Sequence, residues 1–192
     1  MSVVEIEHYT KKLKGKTIIS NINLTLEAGS ANGFYGRNGS GKSMLFRAIA
    51  GLIHPTEGIV KVFEKKIGED VSFPESMGLV IESAGFWPYY TGLENLKILA
   101  SIKNTISDEE IRRAIERVGL DPDDKRTYAK YSLGMKQRLG IAQAIMEKPD
   151  LILLDEPTNA LDEDGVKQVR AIIQEETKRG ACVLIASHNK ED

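Results

Sequence analysis

A single cysteine, Cys182, rules out any internal disulfide. Its neighbours Ala181 and Val183-Leu184-Ile185 are apolar, so a buried, reduced thiol is expected, in keeping with a reducing cytoplasm. Long hydrophobic runs are also missing. Nothing approaches the roughly 18 to 20 apolar residues that cross a bilayer, and the start, Met1-Ser2-Val3-Val4-Glu5-Ile6-Glu7, is not a basic-then-apolar leader. Any membrane role is therefore expected to come through a partner. Excess positive charge is absent too: 26 Lys and Arg stand against 28 Asp and Glu, a formal net charge of -2. No global field draws this chain to nucleic acid or anionic lipid, and a nucleic-acid partner is not expected. Repeats, low-complexity stretches and long linkers are lacking. What is there, 192 residues with 41% hydrophobic content and both signs of charge, suffices for one globular domain with a real core.

Residues 3 to 35 alternate apolar and polar positions, as in Val4-Ile6 and Ile18-Ile22-Leu24-Leu26, with Gly15, Gly29 and Gly33 as punctuation; the pattern predicts short strands joined by turns. Gly41 to Ala50 reads as a helix with Leu45, Ala48 and Ile49 on one face and Gly51 at its C-terminal end. Gly58 to Phe63 predicts a further strand. From about Ser83 to Lys148 the spacing turns helical. There Ser107-Asp108-Glu109-Glu110 forms a capping box ahead of Ile111, Ala114, Ile115 and Val118, and Gly119 ends the helix. Leu151-Ile152-Leu153-Leu154 and Cys182-Val183-Leu184-Ile185-Ala186 are continuous apolar runs, the mark of strands covered on both faces, with a helix from about Asp164 to Arg179 between them. The expectation is a single α/β domain over 1–192. Its body, about 1–82 and 149–192, combines a parallel sheet with an N-terminal antiparallel β part, and a helical lobe, about 83–148, is inserted.

Gly36-Arg37-Asn38-Gly39-Ser40-Gly41-Lys42-Ser43 matches the P-loop pattern G-x-x-x-x-G-K-[ST] between a strand and a helix, the context the pattern requires. Its glycines let successive N–H groups curl toward an anion, and the helix N-terminus adds partial positive charge. Lys42 is placed to reach the β- and γ-phosphates and Ser43 to bind Mg²⁺. At ordinary glycine usage a chance match in a chain this long is roughly one in a hundred. The core expected is therefore that of a P-loop NTPase. Leu151 to Leu154 ends in Asp155-Glu156, which sets two carboxylates at the carboxyl edge of the sheet beside the loop. Asp155 suits Mg²⁺ and Glu156 suits polarising an attacking water, although acids at a strand end also serve as turn formers or solvated charges.

Tyr131-Ser132-Leu133-Gly134-Met135-Lys136-Gln137-Arg138 resembles the signature sequence of the ATP-binding-cassette family, usually Leu-Ser-Gly-Gly-Gln followed by a basic residue and Gln-Arg. Ser132 is a good N-cap, and a hydroxyl at a helix N-terminus makes a second anion site. The resemblance continues through Pro157-Thr158-Asn159-Ala160-Leu161-Asp162, similar to the family's interface loop, and through His188, similar to its switch histidine. It covers almost the whole chain. It implies an ATPase of the transport machinery on the cytoplasmic face of a membrane, working with a separate transmembrane permease. It also implies a head-to-tail homodimer or heterodimer in which each ATP lies between one chain's P-loop and the other's Ser132, Gly134 and Met135, with Asp162 at the interface and Glu156 and His188 catalytic.

Several positions depart from the family pattern. Glu82 stands where a Gln usually senses Mg²⁺ and the γ-phosphate, and Met44 replaces a Thr whose hydroxyl touches the α-phosphate. Leu133 and Met135 replace a Gly and the Gln of the signature. Leu13 occupies the place of an aromatic ring that stacks on adenine, with Tyr9 as a rival platform. The segment Phe86 to Leu96 resembles one common in exporters of antibiotics and peptides, which favours export. The chain ends at Asp192, soon after His188, short for the family. A soluble cassette ATPase of DNA repair or translation is the main alternative, but the stretch between Lys42 and Ser132 carries no heptads and no second P-loop. A non-hydrolysing switch is a third reading, against which Glu156 and His188 argue.

Overall fold

The computed structural model describes residues 1–82 and 85–188. In chain order the strands are β1 (Ser2–Leu13), β2 (Lys16–Glu27), β3 (Ala31–Tyr35), β4 (Glu57–Val62), β5 (Lys65–Lys66), β6 (Met77–Val80), β7 (Leu151–Asp155) and β8 (Cys182–Ser187). The helices are α1 (Lys42–Ile49), α2 (Gly92–Lys103), α3 (Asp108–Arg117), α4 (Leu133–Ile145) and α5 (Glu163–Arg179). Ser83, where helical spacing was expected to begin, lies outside the described residues.

The N-terminal alternation forms one long hairpin rather than several short strands. β1 and β2 have 12 residues each and pair antiparallel, Leu13 opposite Lys16. Lys14 and Gly15, at φ 47° and 77°, make the two-residue turn whose twist matches that of the strands, and this is why the run does not break there. β4 pairs with the other edge of β1 and β5 extends it, giving the order β2-β1-β4-β5. The second sheet is parallel, in the order β3-β8-β7-β6.

All five residues of β7 are buried, and their alternation explains the uninterrupted apolar run. Leu151 and Leu153, with Cys182 and Leu184 of β8, share a core with α1 and with Val4, Ile6 and Tyr9 of β1. Ile152, Leu154 and Val183 face the opposite way, into a core with Leu139 and Ile141 of α4 and Ile172 of α5. Each face of the parallel sheet thus has its own hydrophobic layer, and the phosphate-loop helix and the signature helix lie on opposite sides.

Helices α2, α3 and α4 occupy the chain between β6 and β7. Ser107 caps α3 in a full capping box with Glu110, as its sequence predicts. Thr91 and Glu94 form the same device on α2, which the sequence reading passed over. β6 was passed over too: it is at the shortest length at which a strand is legible, and Met77-Gly78-Leu79-Val80 carries no apolar-polar alternation. Its parallel pairing with β7 carries the backbone directly to Glu82.

Candidate functional site

The parallel sheet brings three chain segments to one edge: the loop after β3, the turn after β7 and the end of β8. The first, Gly36 to Gly41, is tied to the third by Gly36 N–H donating to Ser187 O at 3.3 Å. Gly41 is the N-cap of α1 at φ 99°, and no side chain caps that end. A Cβ there would stand 2.9 Å from Ile19 Cγ1 in a left-handed conformation, so glycine is required on both counts. The first-turn N–H groups therefore face the cavity, not a side-chain oxygen. Lys42 curls back over the loop, donating to Gly36 O at 2.6 Å and Arg37 O at 3.5 Å, with its ammonium 4.0 Å from Glu156 Oε1.

A cavity of about 570 Å³ opens here. Its walls include Asn38, Gly39, Ser40, Gly41, Lys42, Ser43 and Met44 from the loop and helix, Asp155 and Glu156 from β7 and its turn, and Glu82 from the end of β6. Asp155 is 5% exposed. Burial pushes its carboxyl above the usual range, the Ser43 hydroxyl bonded to it works the other way, and the negative charges of Glu156 and Glu82 raise it further. Glu156 sits at φ 51°, an uncommon conformation for a residue with a side chain and one concentrated at functional sites. Its N–H donates to Ala186 O at 2.8 Å, and its carbonyl accepts from Gln137 Nε2 at 3.1 Å. His188 Nδ1 lies 2.8 Å from Glu156 Oε2, within hydrogen-bond distance. Glu82, at φ 60°, accepts from Arg47 Nη2 at 2.7 Å through Oε1.

The oxygen donors suit a hard cation. Ser43, Asp155 and Glu82 share the cavity, and among the described residues no cluster of three His, Cys, Asp or Glu could cage a metal unaided. A hard cation held by so few protein oxygens would draw the rest of its shell from phosphate oxygens and water.

Ser132, Gly134, Met135 and Asp162 gather in a second hollow of about 590 Å³. Ser132 caps α4, its hydroxyl accepting from Met135 N at 3.2 Å. A Cβ on Gly134 would lie 2.9 Å from Ala160 O, so the signature helix and the interface loop are in direct backbone contact. Asp162 caps α5 by accepting from Gly165 N at 3.0 Å and pairs with Arg138 Nη2 at 3.1 Å. The Gly165 N–H, then the Arg138 charge, hold its carboxyl below the usual range.

Leu13 is not in either hollow. It is 43% exposed at the tip of the first hairpin, whereas Tyr9 is 0% exposed in the core and cannot reach a ligand. Ile18, also from that hairpin, lines the first cavity and was not singled out from the sequence. Arg47 and Gln137 were missed as well. The Gln-Arg pair of the signature was a visible signal for Gln137; Arg47 looked like an ordinary basic residue in a last helical turn.

Residues 19–159 match the ABC transporter family model. The chain is 52% identical over 190 residues to the uncharacterized ABC transporter ATP-binding protein YybJ of Bacillus subtilis, covering 99% of this chain and 87% of that protein. It is 39% identical over 188 residues to the bacitracin transport ATP-binding protein BcrA of Enterococcus faecalis, covering 97% of this chain but only 61% of BcrA, so it spans about three fifths of that relative's length. Among solved structures, a dimeric ATP-binding cassette in a post-hydrolysis state with ADP and Pi superimposes with a TM-score of 0.87 at 24% identity, over 98% of this chain and 89% of that one.

Proposed function

The chain belongs to the ABC transporter family as an ATP-binding subunit, and from that premise we propose that it hydrolyses ATP to drive export of a peptide antibiotic through a separate transmembrane permease. The observation that carries the hydrolytic reading is Glu156 on the wall of a cavity built by the phosphate loop, with His188 Nδ1 2.8 Å from its Oε2. The family match and the transporter names among the relatives speak against the DNA-repair or translation alternative. Cargo follows the bacitracin transport named for BcrA.

Lys42 and the loop N–H groups would bind the phosphates, the backbone serving where Met44 has no hydroxyl to offer. Mg²⁺, held by Ser43 and Asp155 with Glu82 alongside, would supply charge neutralisation between the phosphates. Glu156 would accept the proton of an attacking water, and His188 keeps its carboxylate oriented for that task. Because Ser132 and Gly134 line a hollow of their own, they would cover the γ-phosphate of a second chain, with Asp162 at the interface. Among the described residues no aromatic ring lines the first cavity, so the base would gain only apolar contact, from Ile18. The subunit would work at the cytoplasmic face of the membrane; among the described residues no helix is long and apolar enough to cross it.

The test is co-purification of the tagged chain from membranes of its own cell, with ATPase and antibiotic-resistance assays. A polytopic partner whose loss, like Glu156→Gln, abolishes resistance supports the reading. Membranes that yield no such partner, with resistance unchanged in the variant, overturn it.

A further inference from the structure

Glu82 adds a third carboxylate to a cavity that already holds Asp155 and Glu156, while Lys42 is the one cationic side chain among the described residues lining it. Three anionic groups around a triphosphate repel it. A second cation stands behind Glu82. Arg47 Nη2 donates to Glu82 Oε1 at 2.7 Å, and Arg47 follows Ser43 by one helical turn, so α1 presents the guanidinium on the same face as the serine hydroxyl. Glu82 itself sits at φ 60°, backbone space that few residues with a side chain adopt. The chain turns sharply after β6 and offers this carboxylate to α1.

We propose that Arg47 is a positioning residue for nucleotide binding: it neutralises and fixes Glu82, so that a site carrying Glu at this place accepts ATP before the divalent cation arrives. This role rests on the reading of the cavity as the ATP site. Arg47 also complements the helix dipole from the last turn of α1, an effect independent of Glu82. With the Glu82 side chain 69% exposed, the ion pair contributes little to folding, so nucleotide binding and not stability is the informative readout.

The experiment is equilibrium ATP binding, in excess EDTA and in Mg²⁺, for the wild type, Arg47→Ala, Glu82→Gln and the double variant, with melting curves to verify folding. Arg47→Ala should weaken metal-free ATP binding by about fivefold or more in the wild-type background and by less than about twofold in the Glu82→Gln background, and Mg²⁺ should narrow the first difference. Arg47→Lys, which keeps the charge, should retain most of the affinity. Equal weakening in both backgrounds, or none in either, overturns the proposal. Should Arg47→Ala fail to fold, Arg47→Gln takes its place in the same four-way comparison. If the wild type itself does not bind ATP, the ATP-site reading falls and this role with it; if it binds and the coupling is absent, only the role of Arg47 falls.

Discussion

The proposed hydrolysis turns on Glu156. It is bonded to His188 through one carboxylate oxygen, stands 4.0 Å from the Lys42 ammonium through the other, and sits on a backbone held at φ 51°. Removing its negative charge while keeping its shape should leave ATP binding intact and stop turnover, so Glu156→Gln is expected to lose about a hundredfold or more in kcat with little change in ATP affinity. Lys42→Ala should do the reverse and weaken ATP binding first. Parallel binding and turnover assays check both; full turnover in Glu156→Gln would remove this residue from the mechanism. Such residues were legible because a contiguous motif carries them: Gly36 to Ser43 and Asp155-Glu156 need only local spacing and a strand edge. Arg47 and Glu82 lie 35 positions apart in sequence and meet only once β6 is laid beside β7, so neither announced the pair. The base contact is a similar case. Counting along the chain singles out Leu13, but the hairpin's register is what brings Ile18 to the cavity wall. With no ring among the described residues lining the cavity, a stacking contribution of roughly 1 to 3 kcal/mol per base is missing, and GTP should compete with ATP within about tenfold in a displacement assay. Discrimination far beyond that would mean an aromatic platform reaches the base from elsewhere.

Helix ends and strand contacts decide how firmly these residues are held. The capping boxes on α2 and α3 each satisfy two backbone donors, and both glutamates, Glu94 and Glu110, are held below the usual carboxylate range, chiefly by the backbone N–H groups of Thr91 and Ser107. A depressed carboxylate contributes stability above its unfolded pKa and loses it as pH falls through the folded value. Ser107→Ala removes the N-cap hydroxyl and should cost about 1 kcal/mol at neutral pH; because the same hydroxyl donates to the Glu110 carboxylate, the gap from the wild type in denaturant unfolding should shrink on acidification below the usual carboxylate range. A gap that stays constant through and below that range would mean that the Ser107 hydroxyl takes no part in holding Glu110 ionised, since the other bond, from the residue 107 N–H, survives in the variant. Ser107 and Glu110 were readable from spacing alone, while the box at Thr91 was obscured by the aromatic run before it. Gly78 gave no signal at all. A Cβ there would fall 1.8 Å from Ala144 O, so β6 and α4 touch backbone to backbone, and Gly78→Ala should destabilise by about 2 kcal/mol or more. Wild-type unfolding free energy in that variant would show that α4 moves aside without cost.

At the scale of the whole molecule, the proposed function needs the two hollows to meet, and a second chain in head-to-tail pairing would bring them together. The α/β body and the order of motifs were legible in the sequence because each strand and loop signal is local; the division into two hydrophobic layers was not, since it depends on which face each residue of β7 presents. That division puts α1 and α4 on opposite sides of the sheet, and the hollow containing Ser132 and Gly134 is separate from the one containing Lys42, with Leu133 and Ala160 on the wall of both. A γ-phosphate bound at Lys42 is then covered from one side only, and head-to-tail pairing would bring another chain's Ser132 to the open side. Two chains each dead for a different reason should restore one another. Lys42→Ala removes the phosphate site and keeps the signature; Ser132→Arg keeps the phosphate site and obstructs the signature. In a mixed dimer one composite site carries both lesions and the other carries neither. With random pairing half the dimers are mixed and half their sites intact, so an equal mixture should regain roughly a quarter of wild-type ATPase activity, while each variant alone stays inactive. Mixtures that remain inactive at every ratio, in preparations where sedimentation shows the two variants pairing, would mean that each chain does not complete the other's site.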